Sequence, residues 1–248
     1  MNKKTNQIKM FSFLKPLIFG LDPEAAHDLA IKSLKLNIVP ENIFKVENEE
    51  MLETNFLKKK IKNPIGMAAG FDKSAEVYNS LFKLGFGFVE VGTVTPIKQI
   101  GNPKPRIFRL EEDEALINRL GFNNDGLETI LKRLESGQFG KGDNTLGVNI
   151  GPNFNSKSFE SDFCKSAESL IRLSLADYIT INISSPNTEN LRDFHDESKL
   201  DSLLEAINKL KQEFGSLMPI FVKVSPDIKD SSIEKISEII INQKVQGA

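Results

Sequence analysis

Apolar positions along the chain alternate between two spacings. Short β-like runs occur at "NPIGMAAG" (63–70), "FGFVEVGTV" (86–94), "NTLGVNIG" (144–151), "DYITINIS" (177–184) and "MPIFVKVS" (218–225). Each is followed by a stretch patterned as a helix, at about 74–84, 125–134, 158–175, 198–214 and 231–243. That alternation predicts parallel βα units. Between the second strand and its helix, "RIFRLEEDEALINRL" (106–120) has two β-like arms around an acidic turn and predicts a hairpin. Five βα units suit either a complete doubly wound sheet or most of a (β/α)₈ barrel. The final "QKVQGA" is a helix end followed by small residues that often introduce another strand. It favours an α/β reading as a TIM barrel of which about five units are present.

The first part of the chain has a different character. A helix is predicted to start at Asp22, with its carboxylate as N-cap, Pro23 at the first helical position and Glu24 in the positive first turn. Ala26, Leu29, Ala30 and Leu34 continue it at helical spacing. Before it, Lys3, Lys4, Lys9 and Lys15 accompany Phe11, Phe13, Leu14, Leu17, Ile18 and Phe19. The apolar stretch is too short to span a bilayer and lacks the centre of a signal peptide. It suits shallow docking at a membrane surface and equally a helix packed on its own domain. The organisation expected is an N-terminal helical appendage at 1–45 and a barrel portion at 46–248.

Composition narrows the chemistry. In 248 residues, 32 Lys+Arg against 34 Asp+Glu leave a formal charge of -2, so no global field recommends nucleic acid as a partner. One cysteine, Cys164, excludes an internal disulfide, and the two histidines, His27 and His195, make a multi-histidine metal site improbable. No metal is expected.

In both candidate architectures the carboxyl ends of the strands gather at one face. Here those ends read "AAGFDK", "GTVTP", "VNIGPN", "NISSPN" and "VKVSPD". Gly70 permits close backbone approach, Asp72 and Lys73 follow at a helix start, and Thr93 and Thr95 add hydroxyls, although turns, solvation and strand propensity explain each alone. "INRLGFNNDG" brings in Asn118, Arg119, Gly121, Phe122 and Asn123, while Asn124 and Asp125 suit an ordinary turn. Asn149, Asn182 and Asn187 recur at further strand ends, and a cluster of neutral amides suits a polar heterocycle better than a metal. Ser185 lacks a G-x-S-x-G context and has only His195 as a conceivable base, which ranks hydrolase chemistry low. Lys223, inside apolar "IFVKVS", needs an anionic or electron-rich partner unless it snorkels to the strand end.

The ordered set "NPIGMAAGFDK", "FVEVGTVTP", "GNPKPRIFRL", "INRLGFNNDG", "VNIGPN", "INISSPNT" and "VKVSPD" resembles the dihydroorotate dehydrogenase family, from about Leu21 to the C-terminus. Serine at position 185 and "LDPEAAHDLA" resemble its quinone-linked, membrane-associated class 2. The resemblance implies a (β/α)₈ barrel holding FMN, oxidation of dihydroorotate to orotate in pyrimidine biosynthesis, and a quinone as terminal acceptor. It implies FMN contacts from Ala69, Gly70, Phe71, Asp72, Lys73, Thr93, Asn149, Asn182 and Lys223. Substrate contacts fall on Lys73, Asn118, Arg119, Leu120, Gly121, Phe122, Asn182 and Asn187, with Ser185 as catalytic base. His27 and Arg109 match positions of the quinone tunnel, against the plainer readings of a satisfied helix histidine and a surface ion pair. In a bacterium the place implied is the cytoplasmic side of the cell membrane, held peripherally.

The family's barrel continues for three more βα units, with an Asn-Thr substrate motif and glycine-rich loops for the FMN phosphate. The expectation is that these 248 residues alone bind FMN poorly and turn over little. Two other readings compete: a flavodoxin-like binding module, supported by five βα units, and a membrane-surface interaction protein using the basic N-terminus.

Overall fold

The structure, a computed structural model, describes residues 12–36, 50–137, 144–188 and 191–248. The polar linker expected at 40–50 and the lysines before residue 12 lie outside them, apart from Glu50. A helical segment, α1, runs across 12–19, and α2 spans Pro23–Lys35. The expected cap is present: the Asp22 carboxylate accepts from the N–H groups of Glu24 and Ala25, each at 3.0 Å.

Two small strands follow, β1 (Thr54–Phe56) and β2 (Lys59–Ile61), paired antiparallel. The sequence pattern predicts neither. The five expected core strands are β3 (Gly66–Met67), β4 (Phe88–Val94), β7 (Thr145–Ile150), β8 (Tyr178–Asn182) and β9 (Ile220–Lys223). The expected hairpin forms from β5 (Ile107–Leu110) and β6 (Ala115–Asn118). Helices α3 (Tyr78–Lys83), α4 (Leu127–Ser136), α5 (Phe159–Leu173), α6 (Glu197–Glu213) and α7 (Asp230–Asn242) complete the units.

The core sheet is wholly parallel, and its spatial order, β3-β4-β7-β8-β9, is the order of the chain. A doubly wound sheet reverses strand order at a switch point and covers both faces with helices. Here one face carries Val89, Val91, Leu146, Val148, Ile150, Ile179, Ile181 and Val222, all buried in the core that α3 to α7 share. The other face carries Glu90, Gly147, Asn149, Tyr178, Thr180, Asn182, Phe221 and Lys223, placed side by side by the register Glu90↔Gly147, Asn149↔Thr180 and Asn182↔Lys223. One greasy face and one polar, aromatic face, wound in a single direction, is the construction of a βα barrel wall.

The amino-terminal end of that inner face is closed by aromatic rings. Phe56, from the β1–β2 hairpin, lies 5.2 Å from Phe88, 5.6 Å from Tyr178 and 6.1 Å from Phe221 between ring centroids. Lys59 pairs with Asp177, whose other oxygen accepts from the N–H of Leu146 at 2.8 Å. Gly147 is required beside them, because a Cβ there would stand 2.1 Å from the Tyr178 ring. The bottom is therefore apolar and packed, and the polar chemistry is displaced to the opposite end.

Candidate active site at the carboxyl ends of the strands

Three neighbouring strands deliver a connected polar floor. Thr93 Oγ1 donates to Asn149 Oδ1 at 2.7 Å, and Asn182 Nδ2 donates to Thr93 Oγ1 at 3.1 Å and to Asn149 Oδ1 at 3.2 Å. Asn149 Nδ2 in turn donates to Glu90 Oε1 at 2.8 Å, and Thr180 Oγ1 donates to Glu90 Oε2 at 2.9 Å. Asn149 is wholly buried and Asn182 is 5 % exposed, so these amides are fixed rather than solvated. Beneath them, burial first and the Glu90 charge second push the Tyr178 phenol far above its ordinary value.

Above the floor lies a cavity of about 460 Å³. Its lining brings together Ala69, Gly70, Lys73, Thr93, Asn118, Leu120, Gly121, Phe122, Asn182, Ser185, Asn187 and Lys223, from the ends of β3, β4, β8 and β9 and from the hairpin. Gly70 has φ +109, and a Cβ built there meets nothing within 4 Å, so its backbone stands open to the cavity. Asn182 Oδ1 accepts from the N–H of Ser184 at 3.1 Å and its hydroxyl at 2.7 Å, which shapes the loop after β8. Ser185 Oγ then accepts from the Asn187 N–H at 3.2 Å. Asn187 reaches across toward the carbonyl of Asn118 at the end of the hairpin, at 3.5 Å.

His195 makes no hydrogen bond to Ser185; its Nε2 is buried without a partner among the described residues. Lys223 projects from the inner face beside Asn182 and has no ion-pair or hydrogen-bond partner among them. It is exposed to the cavity rather than enclosed in the sheet, so its expected electron-rich partner has room to bind.

Other residues implied by the resemblance lie beside this cavity. The Asp72 carboxylate turns inward and accepts from the N–H groups of Glu76 and Val77, each at 2.8 Å; burial raises its pKa despite those bonds. Phe71 packs edge-on against His27, with ring centroids 5.3 Å apart. Both line a second cleft, under α2, of about 460 Å³. Asn149 supports the floor from below, and Arg119 turns to the carbonyl of Pro105, its Nη2 at 2.9 Å.

Lys73 borders both cavities. Its Nζ lies 3.1 Å from His27 Nε2. Burial lowers the pKa of each base, and for His27 the Lys73 charge adds to it. His27 is thus an acceptor for Lys73 when neutral and a repelling neighbour when charged. Arg109 is more than a surface ion pair: its Nη1 caps the end of α1 through the carbonyls of Phe19 at 3.1 Å and Leu21 at 2.7 Å. Its guanidinium also lies 4.8 Å from the Phe19 ring centroid. Two residues that sequence reasoning missed hold these pieces together. Arg106 is a buried fork on Glu24, and Glu90 anchors the floor.

A singly wound parallel wall with a polar cavity at its carboxyl strand ends belongs to the class of βα-barrel proteins, whose functional residues come from several strand ends. The chain belongs to the dihydroorotate dehydrogenase family, whose sequence profile, described as "Dihydroorotate dehydrogenase", matches residues 51–247. It is 40% identical over 245 residues to the dihydroorotate dehydrogenase (quinone) of Idiomarina loihiensis, covering 96% of this chain and 72% of that protein. It is 46% identical over 227 residues to the protein of the same name from Bartonella tribocorum, covering 90% and 61%. The crystal structure of DHODH from Eimeria tenella in complex with ferulenol superposes with a TM-score of 0.83 at 35% identity, covering 93% of this chain and 68% of that one. The chain thus spans about three fifths of the length of several curated relatives it matches.

Proposed function

We propose that this chain carries the substrate face of a quinone-linked dihydroorotate dehydrogenase, oxidising dihydroorotate to orotate in pyrimidine biosynthesis with FMN as cofactor. The observation that carries the reading is the convergence of Ser185, three neutral amides, Lys73 and Lys223 on one cavity at the strand ends. The residues present fit a flavin. Open backbone at Gly70 admits a flat ring, neutral amides match its imide edge, and unpaired Lys223 suits an electron-rich partner. When bound, FMN supplies the hydride acceptor.

The chain's own residues then divide the remaining work. Ser185 Oγ takes the proton from the substrate carbon beside the carbonyl while its own hydroxyl proton passes to solvent water at the open mouth of the cavity. Asn118, Asn182 and Asn187 fix the ring's pose, the kind of positioning that changes rates greatly. Lys73 orients the substrate carboxylate. Ala69, Thr93 and Asn149 shape the floor on which the cofactor rests, and Leu120, Gly121 and Phe122 form the rim.

The appendage, residues 1–45, supplies the quinone entrance beside the barrel portion, 46–248. Its α2 brings His27 to Lys73, and Arg109 ties α1 to the hairpin. Phe13 is 82% and Leu17 72% exposed, and no described helix is long and apolar enough to cross a membrane. Those side chains dock peripherally on the cytoplasmic face of a bacterial membrane, where a lipid-soluble quinone is reached.

The test is spectroscopic. The full-length protein carrying FMN is expected to lose its flavin absorbance on anaerobic addition of dihydroorotate and regain it with a short-chain quinone. A flavin that dihydroorotate leaves unbleached contradicts the proposal, and vesicle binding without bleaching favours a membrane-interaction protein.

A further inference from the structure

The donors and acceptors of the floor form a directed chain, held at one end by the Glu90 carboxylate and at the other by the backbone N–H of Ser184. A carboxylate only accepts, whereas an asparagine amide has one donating and one accepting end. Because Asn149 meets Glu90 Oε1 at 2.8 Å, its Nδ2 must face that carboxylate. Its Oδ1 must then face the other way, where it receives Thr93 Oγ1 at 2.7 Å and Asn182 Nδ2 at 3.2 Å. Asn182 must then present its Nδ2 to that oxygen and its own oxygen to the loop after β8, the same orientation that the donor-only N–H of Ser184 requires, and it also accepts the Ser184 hydroxyl. The next residue is Ser185.

We infer that Glu90, two strands away from the serine, is a positioning residue: its acceptor-only carboxylate sets the polarity of the relay through Asn149 and Asn182 that orients the Ser185 loop. Thr180 occupies the second carboxylate oxygen at 2.9 Å, so both oxygens are engaged and the group is held in place. The relay joins β4, β7 and β8, which are adjacent in the sheet. A neutral glutamine at position 90 could present either end to Asn149. The amides above it could then invert together, and the Ser184 donors would lose their fixed acceptor. The consequence for catalysis rests on the function proposed above, but the relay itself is a property of the folded chain.

The test is a donor–acceptor swap in the full-length protein, comparing Glu90→Gln, Asn149→Asp and the double variant. In the double variant, the introduced glutamine can donate its amide N–H to the introduced carboxylate and accept from Thr180 through its oxygen. That carboxylate still accepts from Thr93 and Asn182. Direction is restored by different chemistry. The first readout is amide hydrogen exchange at Ser184 in flavin-free protein, which does not depend on the proposed function. The second is FMN affinity and the rate of flavin reduction.

Glu90→Gln is expected to lower Ser184 protection and FMN affinity by about tenfold, the scale of losing a charge-assisted hydrogen bond. Asn149→Asp, which sets two carboxylates face to face, is expected to do at least as much harm. The double variant is expected to recover most of both losses, a coupling that independent structural damage does not produce. Single variants too unstable to fold beside a folded double variant also support the relay. A Glu90→Gln protein indistinguishable from wild type overturns it, as does a double variant no better than its worse parent. Wild-type protein that shows the exchange pattern yet takes up no FMN contradicts the proposed function alone.

Discussion

At the scale of single residues, the chemistry of the site is set by what each group is not free to do. His27 is the clearest case. Burial and the neighbouring Lys73 ammonium hold its pKa below 6.5, with Asp28 and Glu24 acting weakly in the opposite sense. Below pH 6.5 the unfolded chain takes up a proton that the folded one refuses, so stability is complete above that value and falls as pH decreases toward the folded pKa. His27→Gln keeps an acceptor near Lys73 and removes the titration. It is expected to lessen the fall in melting temperature on acidification below pH 6.5, and an unchanged slope would show that His27 does not couple to folding. His195 is shifted in the same direction, so the slope should shrink rather than vanish.

The residues at strand ends were legible in the sequence because Ser185, Asn182, Asn187 and Lys73 interrupt apolar runs where a parallel sheet opens. Glu90 was not: inside "FVEVG" an acid reads as an ordinary solvent-facing strand position, and only the register with Gly147 and Asn149 shows it facing the barrel interior. Asp72 was legible as a polar group near the site. Its capping of Glu76 and Val77 was not, since that depends on where the chain turns after β3.

Among the elements, capping and periodicity located α2, α4, α5, α6 and α7 and the hairpin well. The third helix was expected from residue 74 but begins at Tyr78. The reason is local: Asp72 accepts from the N–H groups of Glu76 and Val77, ahead of the helix, and Ala75 adopts φ +53, a conformation outside the helix. The β1–β2 hairpin gave no signal because its turn places Leu57 and Lys58 at φ +51 and +65, without the Asn-Gly or Gly that usually marks such a turn.

Attachment of α2 was also hidden. Glu24 looks like a first-turn acid, yet it is buried against Arg106, whose fork lowers its pKa and also donates to the carbonyls of Ile100 at 2.6 Å and Asn102 at 2.9 Å. Arg106→Met leaves the buried Glu24 carboxylate with only the exposed Lys104, at 3.4 Å, and is expected to cost about 3 kcal/mol. Urea unfolding checks it: Glu24→Leu with Arg106→Met should be more stable than Arg106→Met alone, and equal midpoints would mean the pair is not what fastens the helix. Selective loss of quinone turnover, with flavin reduction spared, is the expected functional consequence of loosening α2.

For the molecule as a whole, the choice between a doubly wound sheet and a barrel wall could not be made by counting units. Spatial strand order and the contrast between its two faces make it, and both depend on contacts remote in sequence. The same contrast explains the division of labour. An aromatic plug around Phe56 seals one end, and the relay from Glu90 to Asn182 opens at the other beneath Lys223 and Ser185. In the proposed reaction, hydride acceptance falls to the cofactor and proton removal to Ser185 of this chain.

Ser185→Ala separates those two roles. Rapid anaerobic mixing of the full-length, FMN-loaded protein with dihydroorotate should show flavin reduction slowed by about 10²–10⁴, the usual contribution of a positioned base. Orotate affinity, read from the shift it causes in the flavin spectrum, should stay within about threefold, because the loop and its asparagines remain. A reduction rate equal to wild type, with orotate bound normally, would contradict the assignment of Ser185 as the base.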